Sequence, residues 1–552
     1  MKFHFYPLAA IFFLFALSTA CKKSGISEKE SIIIIDPSSL TIAKDAMTQH
    51  GLIVKGENAD LQSAEVRWTS NNIRVATVSD AGVVTGRGAG ETDIIATLVN
   101  GKGVAKCKVT VYDENDYKFR LVLKDKGISV FSVNRPEEFL SPKAIARRKR
   151  RNIAIDETDL PISPDYIKAI EKIGGVVVAQ SKWLNTVSVH FTDEFLIDKY
   201  KELPFVKEVV LVWQGKRGAQ KVSKNIDGGL LASKSGTNQK IKSSIDYGSA
   251  WDNISLSNGQ ALHEQGYKGS GIDIAVIDAG FINLKTNPSL SNINIGGAKS
   301  FIYEKPSPFD SDSHGVWVTS CMAANKPGFF IGTAPEANYW LLRTEDQSSE
   351  QAIEEDYWVA AIEYADSAGV DVVNTSLSYT QYDYPPYHYK RENLDGKSAL
   401  ASQGANIAVS KGIFIAGCAG NYGTWVGTPA DSPFVLTVGS VMKSGTIDYF
   451  SASGLTVDGR IKPDIVALGG GASVIDIDGK VQLRSGTSYA SPIICGLAAC
   501  LWQAYPKLSN KEILDVMKRS ANRYNSPELP YGYGIPDMQR AMELAQILTG
   551  LK

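Results

Sequence analysis

A chain of 552 residues, 43% of them hydrophobic, has the apolar content to build three or four globular domains with sizeable cores. Its 58 Lys and Arg against 59 Asp and Glu leave a net charge of −1, which gives no argument for nucleic acid or an anionic membrane surface as partner. Met1 to Pro7 carry a positive charge ahead of a run of apolar and small residues, Leu8 to Ala20. That run is too short to span a bilayer, and residues 1–20 read as a cleaved export signal.

Cys21 comes next, directly after Leu17-Ser18-Thr19-Ala20. A cysteine following small residues at the end of a signal resembles a bacterial lipoprotein signal. The resemblance implies a lipidated Cys21 and an exported, membrane-anchored protein, periplasmic or on the cell surface. The leucine of that pattern stands at 17, one position early, and an ordinary signal peptide with a free thiol is the other reading. Cys107, Cys321, Cys418, Cys495 and Cys500 are scattered with no metal-type spacing and are expected as buried core thiols. Cys495 and Cys500 fall on one predicted helix, a poor geometry for a disulfide.

Residues 31–112 read as an all-β unit. Ile32 to Ile35, Val66 to Trp68, Val75 to Val78, Val83 to Thr85, Asp93 to Leu98 and Ala105 to Val111 are short strands separated by Gly, Asn and Asp turns, the pattern of a sandwich. Trp68-Thr69-Ser70-Asn71, Val75-Ala76-Thr77-Val78 and Gly82-Val83-Val84-Thr85-Gly86 resemble a bacterial immunoglobulin-like domain of group 2. Such domains are adhesive or act as spacers, and the segment carries no sign of a ligand site.

Residues 117–213 mix strand and helix. Phe119 to Leu123, Thr186 to Phe191 and Val206 to Val212 are predicted strands; Pro164 to Ile173 and Asp193 to Lys201 are predicted helices. Between them, Lys143, Arg147, Arg148, Lys149, Arg150 and Arg151 form a basic run, readable as a nucleic-acid patch or a processing site. A solvated helix face, or a complement to acidic surface on another domain, is the favoured reading. Gly, Ser and Lys then dominate a linker over 214–245.

The remainder carries the chemistry. Ile272 to Gly280 reads as a buried parallel strand that ends on Asp278 and a glycine turn, where open α/β sheets place their sites. Ser313-His314-Gly315 opens an apolar helical run. Of six histidines, His4 lies in the signal, His50 and His190 in other domains, and His263 and His388 lack a Gly-flanked helix start, which leaves His314 as the suitably placed base. Gly486-Thr487-Ser488-Tyr489-Ala490-Ser491-Pro492 delivers one hydroxyl to a helix N-terminus, where the dipole favours negative charge and Pro492 fits a first turn.

With these motifs in the order Asp, His, Ser, the chain resembles a subtilisin-like serine protease, a subtilase. The match runs over about 246–545 and includes Gly332-Thr333-Ala334-Pro335, Asn374-Thr375-Ser376-Leu377, Gly417 to Gly423, Lys462-Pro463-Asp464 and Tyr533-Gly534-Ile535-Pro536. It implies an α/β catalytic domain with a mainly parallel sheet, and it makes residues 117–213 similar to a subtilase propeptide, an α+β ferredoxin-like prodomain. It also implies a serine endopeptidase with Ser488 as nucleophile, His314 as general base and Asp278 as orienter, with the oxyanion held by Asn421 and the Ser488 N–H. No cofactor is required for that chemistry. Structural calcium is a family habit, but no contiguous carboxylate loop offers ligands, and no metal site is assigned.

Expected partners are protein or peptide substrates, whose backbone would add as a strand along Ser376-Leu377-Ser378, and the chain's own propeptide. Ser378 stands where the family usually has glycine, which alters the primary specificity pocket. Tyr379, Tyr382, Tyr384, Tyr387 and Tyr389 could wall the cleft or pack as a surface loop. Asp312 could face a subsite and favour a basic side chain, or cap the helix after it. In the family a propeptide is cut off at its C-terminal end by the enzyme itself; a cut within 214–250 would free the protease from any lipid anchor. Two other readings are an inactive scaffold on a protease fold, opposed by competent residues at all four positions, and an anchored adhesin that works through its immunoglobulin-like unit.

Overall fold

The computed structural model describes residues 32–57, 65–99, 103–113, 115–192, 196–216 and 243–550. The signal run, Cys21 and most of the predicted linker lie outside the described residues. The chain divides into two compact units, 1–113 and 114–552.

The first unit is all β. It contains β1 (Ile32–Asp36), β2 (Ser39–Ala43), β3 (Ile53–Glu57), β4 (Val66–Ser70), β5 (Ala76–Val78), β6 (Val84–Gly86), β7 (Gly90–Leu98) and β8 (Val104–Tyr112). A four-stranded sheet in the order β2-β8-β7-β4 lies beside the two-stranded pairs β1-β3 and β5-β6. Strict alternation along β7 and β8 buries Ile94, Ala96, Leu98, Cys107, Val109 and Val111 on one face. β2 and β3 extend the predicted set; β3 reads Ile-Val-Lys-Gly-Glu, with no period-2 signal to announce it.

The second unit opens with β9 (Asn115–Leu123), α1 (Pro142–Arg150), α2 (Pro164–Lys172), β10 (Val176–Ser181), β11 (Thr186–Phe191), α3 (Leu196–Lys201) and β12 (Val206–Lys216). Its antiparallel sheet runs β10-β11-β9-β12, the arrangement of a split βαβ with one crossover helix in each half. Phe119, Leu121, Val187, Val189, Ile170 and Tyr200 fill the space between sheet and helices.

Two short helices, α4 (Trp251–Ser255) and α5 (Gln260–Glu264), lead into the main layer. Its strands are β13 (Asp273–Asp278), β14 (Asn294–Ser300), β15 (Asn338–Arg343), β16 (Val372–Thr375), β17 (Phe414–Cys418), β18 (Leu436–Met442) and β19 (Ile465–Gly470). They form a seven-stranded sheet in the order β14-β15-β13-β16-β17-β18-β19, parallel at every pairing. A sheet covered on both faces needs strands that are apolar throughout, and every residue of β13, β16 and β17 is buried. One face carries α6 (His314–Ala323) and α9 (Thr487–Ala504); the other carries α7 (Ile353–Ala368) and α8 (Leu400–Ser410). The hairpin β20 (Ala472–Ile475) with β21 (Val481–Arg484) precedes α9, and α10 (Asn510–Ser520) and α11 (Met538–Thr549) close the chain.

The basic run has a definite partner. Helix α1 lies in the segment between β9 and α2 and packs at the C-terminal end of α7, where Arg147 and Arg148, each 1% exposed, both grip the Asp366 carboxylate. Arg148 also reaches Asp159 at 3.0 Å, and Lys143 bridges Asp273 and Asp371 at 3.0 and 2.9 Å. Of the readings open for this run, the complement to acidic surface is the one the fold realises. The sheet of the same domain also packs on α7. Arg120 makes a bidentate pair with Asp356 at 2.7 and 2.6 Å, and the backbone N–H groups of Lys182 and Trp183 donate to Glu363 at 2.9 and 3.0 Å. Ala179, Trp183 and Val212 share one apolar cluster with α7 residues such as Tyr357 and Ile362.

The five described cysteines are all buried free thiols, as their apolar surroundings suggested. Burial pushes Cys321 and Cys418 up to about 12.

Candidate active site

Asp278 is the last residue of β13 and is fully buried. Its Oδ1 lies 2.6 Å from His314 Nδ1, the first residue of α6, and also accepts from Ala279 N at 2.8 Å. Strand end and helix start meet this closely because both are glycine-flanked: a Cβ on Gly315 would lie 2.4 Å from the Gly280 carbonyl oxygen. Asp312 accepts from His314 N at 2.7 Å and so caps the helix, the second of the two roles open to it.

Ser488 is the second residue of α9 and 7% exposed. The His314 ring stands 6.1 Å, centroid to centroid, from that of Tyr489, the residue after Ser488 on α9. One expectation needs correction. Because α9 begins at Thr487, Pro492 lies inside the helix rather than in its first turn. It has no N–H to offer the Ser488 carbonyl four residues back. That carbonyl instead accepts from Ser376 Oγ at 2.9 Å, and Ser488 Oγ lies 3.4 Å from Ser376 O.

Ser376, Leu377 and Ser378 follow directly on β16, and Asn421 follows β17, so all four lie with Asp278 at the carboxyl ends of parallel strands. Asn374 Nδ2 donates to Ser376 Oγ at 3.0 Å, while Asn374 Oδ1 accepts from Ser491 Oγ at 2.8 Å, pinning this strand to α9. Asn421 Oδ1 accepts from both the N–H and the hydroxyl of Thr487, at 2.9 and 3.0 Å. With its oxygen occupied, the Asn421 amide nitrogen turns toward Gly486, 3.6 Å from where a Cβ there would sit. Thr487, Asn374 and Ser491 are positioning residues that sequence reasoning left without roles; their only signal was membership of the motifs around Ser488 and Ser376.

Ser378 sits between two glycines. Its Oγ would be 3.0 Å from a Cβ on Gly420 and 2.5 Å from one on Gly427. Three of the five tyrosines of the run turn inward. Tyr379 donates to Glu345 at 2.6 Å, and Tyr382 and Tyr389 both donate to Glu355, at 2.5 and 2.6 Å. Burial raises the Glu355 carboxyl and pushes Glu345 up to about 7. His263 serves structure: it is buried between Tyr247 OH at 3.0 Å and Thr333 O at 3.1 Å, and burial lowers it to about 4.

Among the described residues, Glu345, Glu350 and Glu354 bring carboxylate oxygens within 4.8 Å of one another. Glu345 already accepts from Tyr379 and Thr344, and Glu354 from the N–H groups of Asp346 and Gln351. With two of the three carboxylates so engaged, the group falls short of the roughly six to eight oxygens that calcium takes and does not fit that ion.

Comparison with known proteins agrees with this geometry. The Subtilase family model matches residues 269–534, the Bacteroidota Peptidase S8 propeptide domain matches 118–226, and the Bacterial Ig-like domain (group 2) matches 31–109. Subtilisin E of Bacillus subtilis is 30% identical over 308 residues, which cover 54% of this chain and 72% of subtilisin E. The thermostable alkaline protease of Halalkalibacterium halodurans is 27% identical over 376 residues, 68% of this chain and 93% of that protein. Subtilisin Savinase of Lederbergia lenta is 29% identical over 290 residues, 52% of this chain and 97% of Savinase. Strand-end acid, helix-start histidine and helix-start serine on a parallel sheet, with these relatives, mean that the chain belongs to the subtilase family and is a subtilisin-like serine endopeptidase.

Proposed function

We propose that the protein is an exported, lipid-anchored endopeptidase that hydrolyses peptide bonds through an acyl-enzyme on Ser488 and processes its own precursor. The observation that carries the catalytic assignment is the 2.6 Å contact between Asp278, at the end of β13, and His314, at the start of α6. His314 takes the serine proton as the hydroxyl attacks the scissile carbonyl and returns it to the leaving amine. Asp278 fixes the tautomer that leaves His314 Nε2 basic and stabilises the imidazolium. The tetrahedral oxyanion is held by the Asn421 amide and the Ser488 N–H. Substrate backbone pairs along Ser376-Leu377-Ser378, so proteins and peptides are the substrates. Subtilases need no cofactor for this chemistry and often bind structural calcium.

Self-processing and export rest on domain order. The propeptide domain precedes the catalytic domain, its last strand β12 ends at Lys216, and the signal run and Cys21 lie upstream of both. A cut after β12 separates the catalytic domain covalently from Cys21. The test compares wild-type protein with Ser488→Ala for fluorophosphonate labelling, peptide hydrolysis, N-terminal sequence and membrane partitioning. Hydrolysis should fall by about six orders of magnitude, the loss known from subtilisin itself. Labelling of Ser488→Ala equal to wild type would refute the nucleophile. Identical full-length, membrane-bound products from both would refute self-processing.

A further inference from the structure

Strand β13 serves two opposite edges of the parallel sheet. Its last residue, Asp278, meets His314, while its first, Asp273, shares Lys143 of α1 with Asp371, at 3.0 and 2.9 Å. At about 3.3 Å per residue, roughly 17 Å of strand separates the catalytic contact from the prodomain contact. At that second edge the prodomain completes the end of α7. The last carbonyls of a helix find no partner within it and carry the negative end of its dipole. Ser141 N donates to Ser367 O at 2.9 Å, Ser141 Oγ to Ala368 O at 2.9 Å, and Arg147 to the carbonyls of Asp366 and Val370. Gly369 makes room for this: it ends α7 at a φ of 93°, and a Cβ there would lie 2.8 Å from Ala144 N.

Charge is matched at the same place. Asp273, Asp366 and Asp371 belong to the catalytic domain, and their cations Lys143, Arg147 and Arg148 all come from α1. Beyond α1, Asp156 and Asp159 take Lys411, the residue that ends α8, at 3.1 and 3.0 Å, and Arg151 donates to Lys507 O at 3.0 Å. We infer that residues 141–159 are a retained clasp: once the linker is cut, they keep the N-terminal fragment on the catalytic domain, and the active enzyme is a two-chain molecule. The partner of this strand-start edge is the chain's own cleaved propeptide, gripped by buried cations and helix-end carbonyls. Because the clasp holds the edge opposite Asp278 and Ser488, its grip leaves the catalytic edge to substrate. The inference rests on the self-processing reading and adds to it the fate of the fragment: the cut protease stays joined to everything upstream of the cut.

The test has two arms. In the first, full-length Ser488→Ala protein carries the recognition sequence of a site-specific protease after Lys216, so that the cut is made without self-processing. The two pieces should elute together at nanomolar concentration, and the amides of residues 141–151 should keep their hydrogen-exchange protection after the cut. Arg147→Gln with Arg148→Gln should speed separation by about a hundredfold, the effect of unpairing a buried charge. Separation of the pieces, or loss of protection across 141–151 on cutting, overturns the inference without recourse to that variant. So does a double variant that holds the fragment as long as the parent. In the second arm, self-processed enzyme is labelled with a fluorophosphonate and run on a native gel. Labelled catalytic domain should still carry the fragment, and label found only on fragment-free catalytic domain overturns the inference. Pieces that stay together in the first arm, with no cut by the Ser488 enzyme in the second, would overturn self-processing and leave the clasp standing. A cut by the Ser488 enzyme followed by separation overturns the clasp alone.

Discussion

The Ser376 hydroxyl donates at 2.9 Å to the Ser488 carbonyl, the acceptor that Pro492 cannot serve from within the same helix. A proline that would otherwise orphan a buried carbonyl thereby ties the segment after β16 to the start of α9. Ser376→Ala should cost about 1–3 kcal/mol of stability, the penalty of a buried acceptor left unmade. Pro492→Ala restores an N–H four residues on, so the double variant should recover part of that loss. Denaturant unfolding of the four proteins of this cycle measures the coupling, and strict additivity would count against the link.

Asn421→Ala should lower kcat by about 10²–10³ with little change in KM, the range known for the matching donor of subtilisin. Thr487→Val keeps the backbone donor to Asn421 but loses the hydroxyl. It should lower kcat by less than Asn421→Ala does, and Thr487→Ser should restore it. Steady-state kinetics on one peptide separates kcat from KM for all three.

Ser378→Gly should widen the primary pocket, because the Ser378 hydroxyl occupies the space between Gly420 and Gly427. Relative kcat/KM for large over small side chains before the cut bond should rise in the variant. An unchanged profile across a peptide library would place Ser378 outside that pocket.

Arg148→Ala leaves the buried Asp366 with Arg147 alone and removes one partner of Asp159. Removing one member of such a buried network costs about 3–5 kcal/mol. Thermal unfolding in a Ser488→Ala background should report the loss, and limited proteolysis should open the segment 124–163 first.

Glu363 gives stability a pH slope. Burial pushes its carboxyl up to about 7, against the opposing pull of donors from Ser181, Lys182 and Trp183. A carboxyl raised in the folded state favours folding with its proton on. Its contribution is fully present below the ordinary value near 4.5 and is lost as pH rises through about 7. The shift corresponds to about 3 kcal/mol between those limits. Unfolding of Ser488→Ala protein between pH 5 and 8 should show this decline, and Glu363→Gln should flatten it.

Glycine-marked strand ends and helix starts singled out Asp278, His314 and Ser488 in the sequence, and the resemblance to subtilases added Asn421. Of the parallel sheet, β13 was legible for a related reason: burial on both faces forces Ile274 to Ile277 to be apolar throughout. β3 and β10 escaped because Ile-Val-Lys-Gly-Glu and Val-Val-Val-Ala-Gln-Ser carry no clean alternation.

What sequence could not decide is which distant groups meet. Arg147 and Asp366 are 219 positions apart, so a basic run read locally is indistinguishable from a solvated face until the fold brings α7 against it. Tyr379, Tyr382 and Tyr389 turned inward because Glu345 and Glu355 wait beneath them, and Pro492 sits within the helix because Ser376, 112 residues before Ser488, supplies the donor that the Ser488 carbonyl lacks. Local chain chemistry sets strand ends, helix starts and the catalytic residue types. Only tertiary packing pairs buried charges and orphaned backbone groups, because a group taken out of water must find its partner wherever the chain happens to return.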